Sequence, residues 1–351
     1  MLNYVHGGDI QTYIDRHGFA PLDLSANINP FGIPDAVRVA MHRAVDNCTQ
    51  YPDPFCRAAR QAIGAREGVN PDFLYCGNGA ADVLDRLAAV LKPRKVLLTA
   101  PTFAEYERTL SGAEIRVHNL RETDGFALTE RILDEISPDL DAVYLCNPNN
   151  PTSSAILKDE MRALLSFCAN RDIFVMIDET YVEFAPSVQE VTAVPYTKDF
   201  SNLMVLRGVS KFYAAPGMRF GYGITGNKEF LSQMKEKQIP WSLNSLGAYA
   251  GEQMFKDTSY IRQTRSLILT ERDRMLKKMS SFKIYFPYGN FILVKILKPE
   301  VTSFDVFEAC IKEGLMIRDC SSFQCLDGKF IRFCIMKPED NNRLLKVLKT
   351  I

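Results

Sequence analysis

Four short stretches carry side chains whose types and spacing could do chemistry. SKFYAAPGMRFGYG (210–223) places Lys211 just past an apolar run, with Ser210 before it and Arg219 eight residues on. A lone lysine ordinarily snorkels to solvent. One held in a desolvated pocket has a lowered pKa and can form an imine with a carbonyl. Ser210 and Arg219 both suit a phosphate. IFVMIDETY (173–181) ends an apolar run in Asp178. That carboxylate either caps a following helix or lies partly buried facing a cation, because unpaired burial is costly. Tyr181, three residues on, can offer its phenol to the same place. YLCNPNNPT (144–152) is rich in turn formers; alternatively an asparagine amide, that of Asn150, points inward as a donor to an anionic oxygen. In LYCGNGAADVLDRL (74–87) a glycine turn runs into a helix, and the N–H groups of Gly79, Ala80 and Ala81 suit a phosphate. The dinucleotide fingerprint is missed, since Asp82 stands where its third glycine belongs.

These stretches need elements to position them. KVLLTAP (95–101), DAVYLCNP (141–148), IFVMIDE (173–179) and LMVLRG (203–208) read as strands, while 80–92 and 160–171 carry apolar residues at helical spacing. Such alternation predicts an α/β fold with a mainly parallel sheet flanked by helices, whose ligands collect beyond the carboxyl ends of the strands. Phe103, the NPNNP run, Asp178 and Lys211 all fall at those ends. Past residue 245 the texture changes to a long charged helix followed by short strands and helices, which reads as a second, smaller α+β unit. The expected division is an N-terminal arm over 1–45, a large domain over 46–245 and a small C-terminal domain over 246–351.

Composition narrows the function classes. Lys+Arg and Asp+Glu balance at 42 each, so bulk charge gives no case for nucleic acid or an anionic membrane. The nine cysteines are scattered without C-x-x-C spacing, and the four histidines form no metal-type cluster. The N-terminus is too polar for a signal peptide and no apolar run reaches membrane-spanning length. A reduced, cytoplasmic protein without a metal is expected.

Taken together, the candidate residues supply what pyridoxal 5′-phosphate requires. Lys211 offers an amine to its aldehyde, and Asp178 a carboxylate to its ring nitrogen. Asn150 and Tyr181 can face its phenolic oxygen, and Phe103 its ring. Gly79, Ala80, Ala81, Ser210 and Arg219 can cup its phosphate.

NPNNPT, D-E-x-Y and S-K-x(7)-R-x-G-Y, with PTFAEY upstream, resemble the fold-type I pyridoxal-phosphate enzymes, the aspartate aminotransferase superfamily. The resemblance implies a large domain with a seven-stranded, mainly parallel sheet. It implies that Lys211 is the cofactor-bearing lysine, Asp178 the partner of the ring nitrogen, and Asn150 and Tyr181 the contacts of the phenolic oxygen. It also implies that Tyr51, in QYPDP, reaches the cofactor phosphate of a neighbouring subunit, so that a homodimer with the site at its interface is expected.

HGGDI, LDLSANINPFG, YPDP, FAEYER, QIPWSLN and the late pair IRDC and FIRFC extend the likeness over nearly the whole chain. They resemble the L-threonine-O-3-phosphate decarboxylase family of cobalamin biosynthesis, with the histidinol-phosphate aminotransferases as near relatives. This narrower resemblance implies that Arg332 binds a substrate carboxylate and that Arg318, His6, Gly7 and Gly8 hold a substrate phosphate, with Asn29 lining the same pocket. The expected activity is decarboxylation of O-phospho-L-threonine or O-phospho-L-serine. Transamination of histidinol phosphate or another phosphorylated or phosphonate amino acid is the alternative, followed by a non-enzymatic cofactor-binding module. Three positions depart from the family pattern. Gly208 replaces a hydroxyl residue, GNGAAD lacks an acidic or hydroxyl residue at 80 or 81, and Ser153 replaces a glycine.

Overall fold

The computed structural model describes residues 7–351 of the chain, so His6 lies outside the described residues. Its strands are β1 (Leu22–Asp23), β2 (Leu74–Gly77), β3 (Lys95–Ala100), β4 (Glu114–Asn119), β5 (Ala142–Cys146), β6 (Phe174–Asp178), β7 (Leu203–Gly208), β8 (Gly221–Ile224), β9 (Phe282–Ile284), β10 (Phe291–Ile296), β11 (Leu315–Met316), β12 (Arg318–Asp319) and β13 (Phe330–Cys334). Seven of them form one sheet in the order β2-β8-β7-β6-β5-β3-β4. Five neighbouring strands run parallel, and β8 is antiparallel to both β2 and β7.

The central strands are buried along their whole length because helices cover both faces of the sheet. Side chains alternate between faces with a period of two, and the core divides accordingly. Val143, Leu145, Val175, Ile177, Leu203 and Val205 join the core on one face, together with Met161, Leu164 and Leu165 of the helix Lys158–Ala169. Ala142, Tyr144, Cys146, Phe174, Met176, Met204 and Leu206 face the other way. There they meet Val83, Leu84 and Leu87 of the helix Ala80–Leu91. Burying each large aliphatic side chain contributes about 1.5–3 kcal/mol. Helix and strand bounds lie within two residues of those expected from the sequence.

A second, antiparallel sheet has the order β12-β13-β10-β9. Residues 22–24 run beside it, in a separate two-stranded sheet. β1 pairs in parallel with β11, and the Cys334 N–H donates to the Leu24 carbonyl at 2.8 Å. The chain then runs towards the large sheet, where the Asn29 N–H donates to the Lys211 carbonyl at 3.0 Å. Residues 24–29 therefore link the two sheets across the crevice between them.

Candidate active site

The carboxyl ends of β5, β6 and β7, the start of the helix Ala80–Leu91 and one face of the small sheet enclose a cavity of about 270 Å³. Its walls include Ala80, Ala81, Phe103, Asn150, Asp178, Tyr181, Ser210, Lys211, Arg219, Arg318 and Arg332. With Gly7, twelve of the site residues expected from the sequence thus stand around one space.

Lys211 projects from the loop after β7, and its amine donates to the Ala26 carbonyl at 2.7 Å. Burial first, and the Arg332 cation second, bring the amine down to about 8. Asp178 ends β6 with 5 % of its surface exposed. Its Oδ1 accepts from the Thr180 N–H (2.9 Å) and hydroxyl (2.6 Å), and its Oδ2 accepts from the Tyr106 hydroxyl (2.8 Å). Burial pushes this carboxyl up against those bonds. Among the described residues no cation pairs with it.

Arg318 and Arg332 stand directly opposite one another on the antiparallel rung between β12 and β13, both buried. The Arg332 guanidinium donates to Asn150 Oδ1 and to the Ser25 carbonyl, and its buried Nε has no partner. Arg318 donates to the Ser322 hydroxyl at 2.7 Å. Two guanidiniums this close repel, and burial followed by Arg332 pulls Arg318 below the usual arginine range. Such a pair calls for anions between or beside it. Because Arg332 can only donate, it fixes the Asn150 oxygen towards itself and leaves the amide N–H₂ for the cavity.

Gly79 caps the helix Ala80–Leu91 with φ +91°, and a Cβ there would stand 2.6 Å from Arg219 Nη2. Glycine lets the Arg219 guanidinium lie against the helix start, beside the Ala80 and Ala81 N–H groups that have no partner within the helix. Ser210 and Arg219 complete a cationic, donor-rich corner. Gly7 is needed for a different reason, since a Cβ would come within 2.5 Å of the Ser25 carbonyl oxygen. Gly8 does not line the cavity; its N–H donates to Ser25 Oγ at 3.0 Å.

Gly79, Asn29 and Tyr51 do not line the cavity either. The Asn29 amide is consumed by the Phe212 carbonyl, the Tyr260 hydroxyl and the Thr264 hydroxyl, which makes it a strut beneath Lys211. Asn27, two residues earlier, instead reaches the Tyr181 hydroxyl at 3.5 Å. Tyr51 lies outside with 81 % of its surface exposed, its ring 5.0 Å from that of Trp241. Tyr106, Thr180 and Asn27 were not picked out from the sequence. A signal existed for Tyr106, which lies three residues past Phe103 and meets its ring edge-on at 5.7 Å. Ser153 takes φ +60° at its glycine-like position, and its hydroxyl accepts the Gly289 N–H at 2.8 Å. That departure therefore serves the loop at 288–289.

The buried carboxylate without a cation, the unpartnered Arg332 Nε, the open amide of Asn150 and the free helix start suit a group with a cationic ring nitrogen, a phenolate and a phosphate. A mainly parallel seven-stranded sheet that brings these to a buried lysine is the architecture of the fold-type I pyridoxal-phosphate enzymes. The chain belongs to the aminotransferase class I and II family, whose profile matches residues 20–348. It is similar to the threonine-phosphate decarboxylase of Salmonella typhimurium, at 34 % identity over 100 % of this chain and 97 % of that protein. The histidinol-phosphate aminotransferase of Methanothermobacter thermautotrophicus is 32 % identical over 98 % of this chain and 93 % of its own. Among solved structures, the histidinol-phosphate aminotransferase of Clostridium acetobutylicum superposes with a TM-score of 0.87 at 31 % identity, covering 94 % of this chain and 98 % of that one.

Proposed function

We propose that the protein is a pyridoxal-phosphate-dependent decarboxylase of O-phospho-L-threonine or O-phospho-L-serine. The observation that carries this reading is the facing pair Arg318 and Arg332 beside Lys211. Such a pair suits a substrate with two anionic groups, a carboxylate for Arg332 and a phosphate for Arg318 with the Gly7 backbone. The aminoalkyl phosphate left after loss of CO₂ is the linker of cobalamin-type cofactors, which the similarity to threonine-phosphate decarboxylases supports. When bound, pyridoxal phosphate supplies an aldehyde for amine exchange and a ring that accepts the electron pair of the breaking bond.

The chain's own residues do the rest. Lys211 presents an amine that is neutral in an appreciable fraction near neutral pH. Asp178 keeps a proton on the ring nitrogen. Asn150 and Tyr181 donate to the phenolic oxygen, and Ala80, Ala81, Ser210 and Arg219 hold the phosphate. Arg332 would hold the substrate carboxylate, and the direction of that grip would select between loss of the carboxylate and loss of the Cα proton. Tyr51, exposed beside Trp241, is suited to reach a second subunit's site, which supports a homodimer.

The arginine pair would equally accept the two carboxylates of glutamate, which keeps an aminotransferase acting on histidinol phosphate as the second reading. Incubating the protein with O-phospho-L-threonine, O-phospho-L-serine, and histidinol phosphate plus 2-oxoglutarate separates the two. CO₂ release without a keto acid is the expected outcome, and glutamate formation from histidinol phosphate would favour the aminotransferase.

A further inference from the structure

The carboxylate of Asp178 offers about four acceptor positions, and the protein fills three of them. Two on Oδ1 are taken by Thr180, through its backbone N–H and its hydroxyl at 2.6 Å. One on Oδ2 is taken by the Tyr106 hydroxyl at 2.8 Å. Tyr106 is fully buried on the short helix Glu105–Thr109, and its hydroxyl would lose this partner if Asp178 turned away. What remains is one lone pair of Oδ2, on a residue that lines the cavity.

We propose that Thr180 and Tyr106 are positioning residues for Asp178, keeping its carboxylate ionised in a dry site and turned so that the remaining lone pair serves the ring nitrogen of the cofactor. The inference rests on the cavity being a pyridoxal-phosphate site. Hydrogen bonds to a charged acceptor are worth more than those between neutral groups and favour the charged form. The other titratable groups facing Asp178 are the Cys146 thiol, paired with it in register on β5, and the Tyr181 phenol. Burial raises both and keeps them neutral, so neither supplies a charge. The three donors offset part of the cost of burying the charge, and a cationic ring nitrogen would offset more. Gly208 supplies the room. A Cβ at that position would stand 3.2 Å from Thr180 Oγ1 and 3.4 Å from Ala80 Cβ, crowding a hydroxyl already committed to Asp178. The glycine that departs from the family pattern is thereby matched to the threonine two residues past the carboxylate.

The test compares Thr180→Val, Thr180→Ser and Tyr106→Phe in the cofactor-loaded protein, with circular dichroism to show that each is folded. The readouts are the pH midpoint of the visible absorbance of the cofactor held by Lys211, and kcat and KM for O-phospho-L-threonine. A less firmly ionised Asp178 leaves the ring nitrogen less protonated, which withdraws less charge from the lysine linkage. The midpoint is therefore expected to rise in the Val and Phe variants, with kcat falling about tenfold and KM little changed, while Ser matches the unaltered protein. An unmoved midpoint and kcat in both the Val and Phe variants overturn the proposal, as does a Ser variant that shifts as far as Val, since packing would then be the cause. If the unaltered protein shows no lysine-dependent absorbance band, the cofactor reading itself fails, and this inference with it.

Discussion

At pH 7 an ordinary lysine amine is protonated and has no lone pair to offer a carbonyl. Lys211 is brought down to about 8 by burial and by Arg332, so the fraction of neutral amine rises tenfold per pH unit up to that value and then levels. The rate at which cofactor-free protein captures pyridoxal phosphate should follow the same curve, rising to a plateau above pH 8. Stopped-flow absorbance measures it. A midpoint in the ordinary lysine range, or capture undiminished in Lys211→Ala, would contradict the assignment. Lys211, Asp178, Asn150, Tyr181 and Phe103 were legible from the sequence because each is a chemically loaded residue at the end of an apolar run. Asn29 was not, because a motif does not say which asparagine has its amide already spent. Asn27 and Asn29 lie two apart, yet one turns towards Tyr181 and the other beneath Lys211. Thr180 and Tyr106 went unseen because their role lies in which way a hydroxyl points.

β6 and β7 deliver Asp178 and Lys211, and a buried charge network ties their ends together. Arg207, four residues before Lys211, pairs with Glu179 at 2.9 Å, Glu183 at 3.3 Å and Glu67 at 3.5 Å, and donates to the Thr192 hydroxyl at 3.1 Å. Glu179 directly follows Asp178, and burial pushes its carboxyl up to about 7 in spite of Arg207. Removing one member of a buried ion pair leaves its partners uncompensated, at a cost of about 3–5 kcal/mol. Arg207→Met should lower the free energy of unfolding by that amount, read as a lower denaturant midpoint with an unchanged slope. A loss within the range of a surface substitution would show that the carboxylates find other partners. The parallel strands could be read from the sequence because they are buried runs bounded by turn signals. β1 could not. Two residues carry no periodicity, and their pairing with β11 is decided almost three hundred residues further on. The path of residues 24–29 over Lys211 follows from that distant pairing.

On the scale of the whole molecule, Tyr51, Phe55, Ile239 and Trp241 are large apolar side chains left exposed, and Tyr51 lies outside the cavity of its own chain. In a symmetric dimer whose sites each use Lys211 from one subunit and Tyr51 from the other, two inactive variants can restore one intact site. Mixing Lys211→Ala with Tyr51→Ala after reversible dissociation should recover about a quarter of the unaltered activity. No recovery, with hybrid dimers demonstrated, would place Tyr51 outside the partner's site. No helix among the described residues is long and apolar enough to cross a membrane. The smaller sheet brings Arg318 and Arg332 to the crevice, and in the proposed decarboxylase the bond that breaks is the one from Cα to the substrate carboxylate, not Cα–H. Turnover of O-phospho-L-threonine in D₂O tests this most directly. The expected result is CO₂ with one deuterium at the former Cα of the amine product, and none at Cα of the recovered substrate. Deuterium at Cα of recovered substrate without release of CO₂ would contradict it.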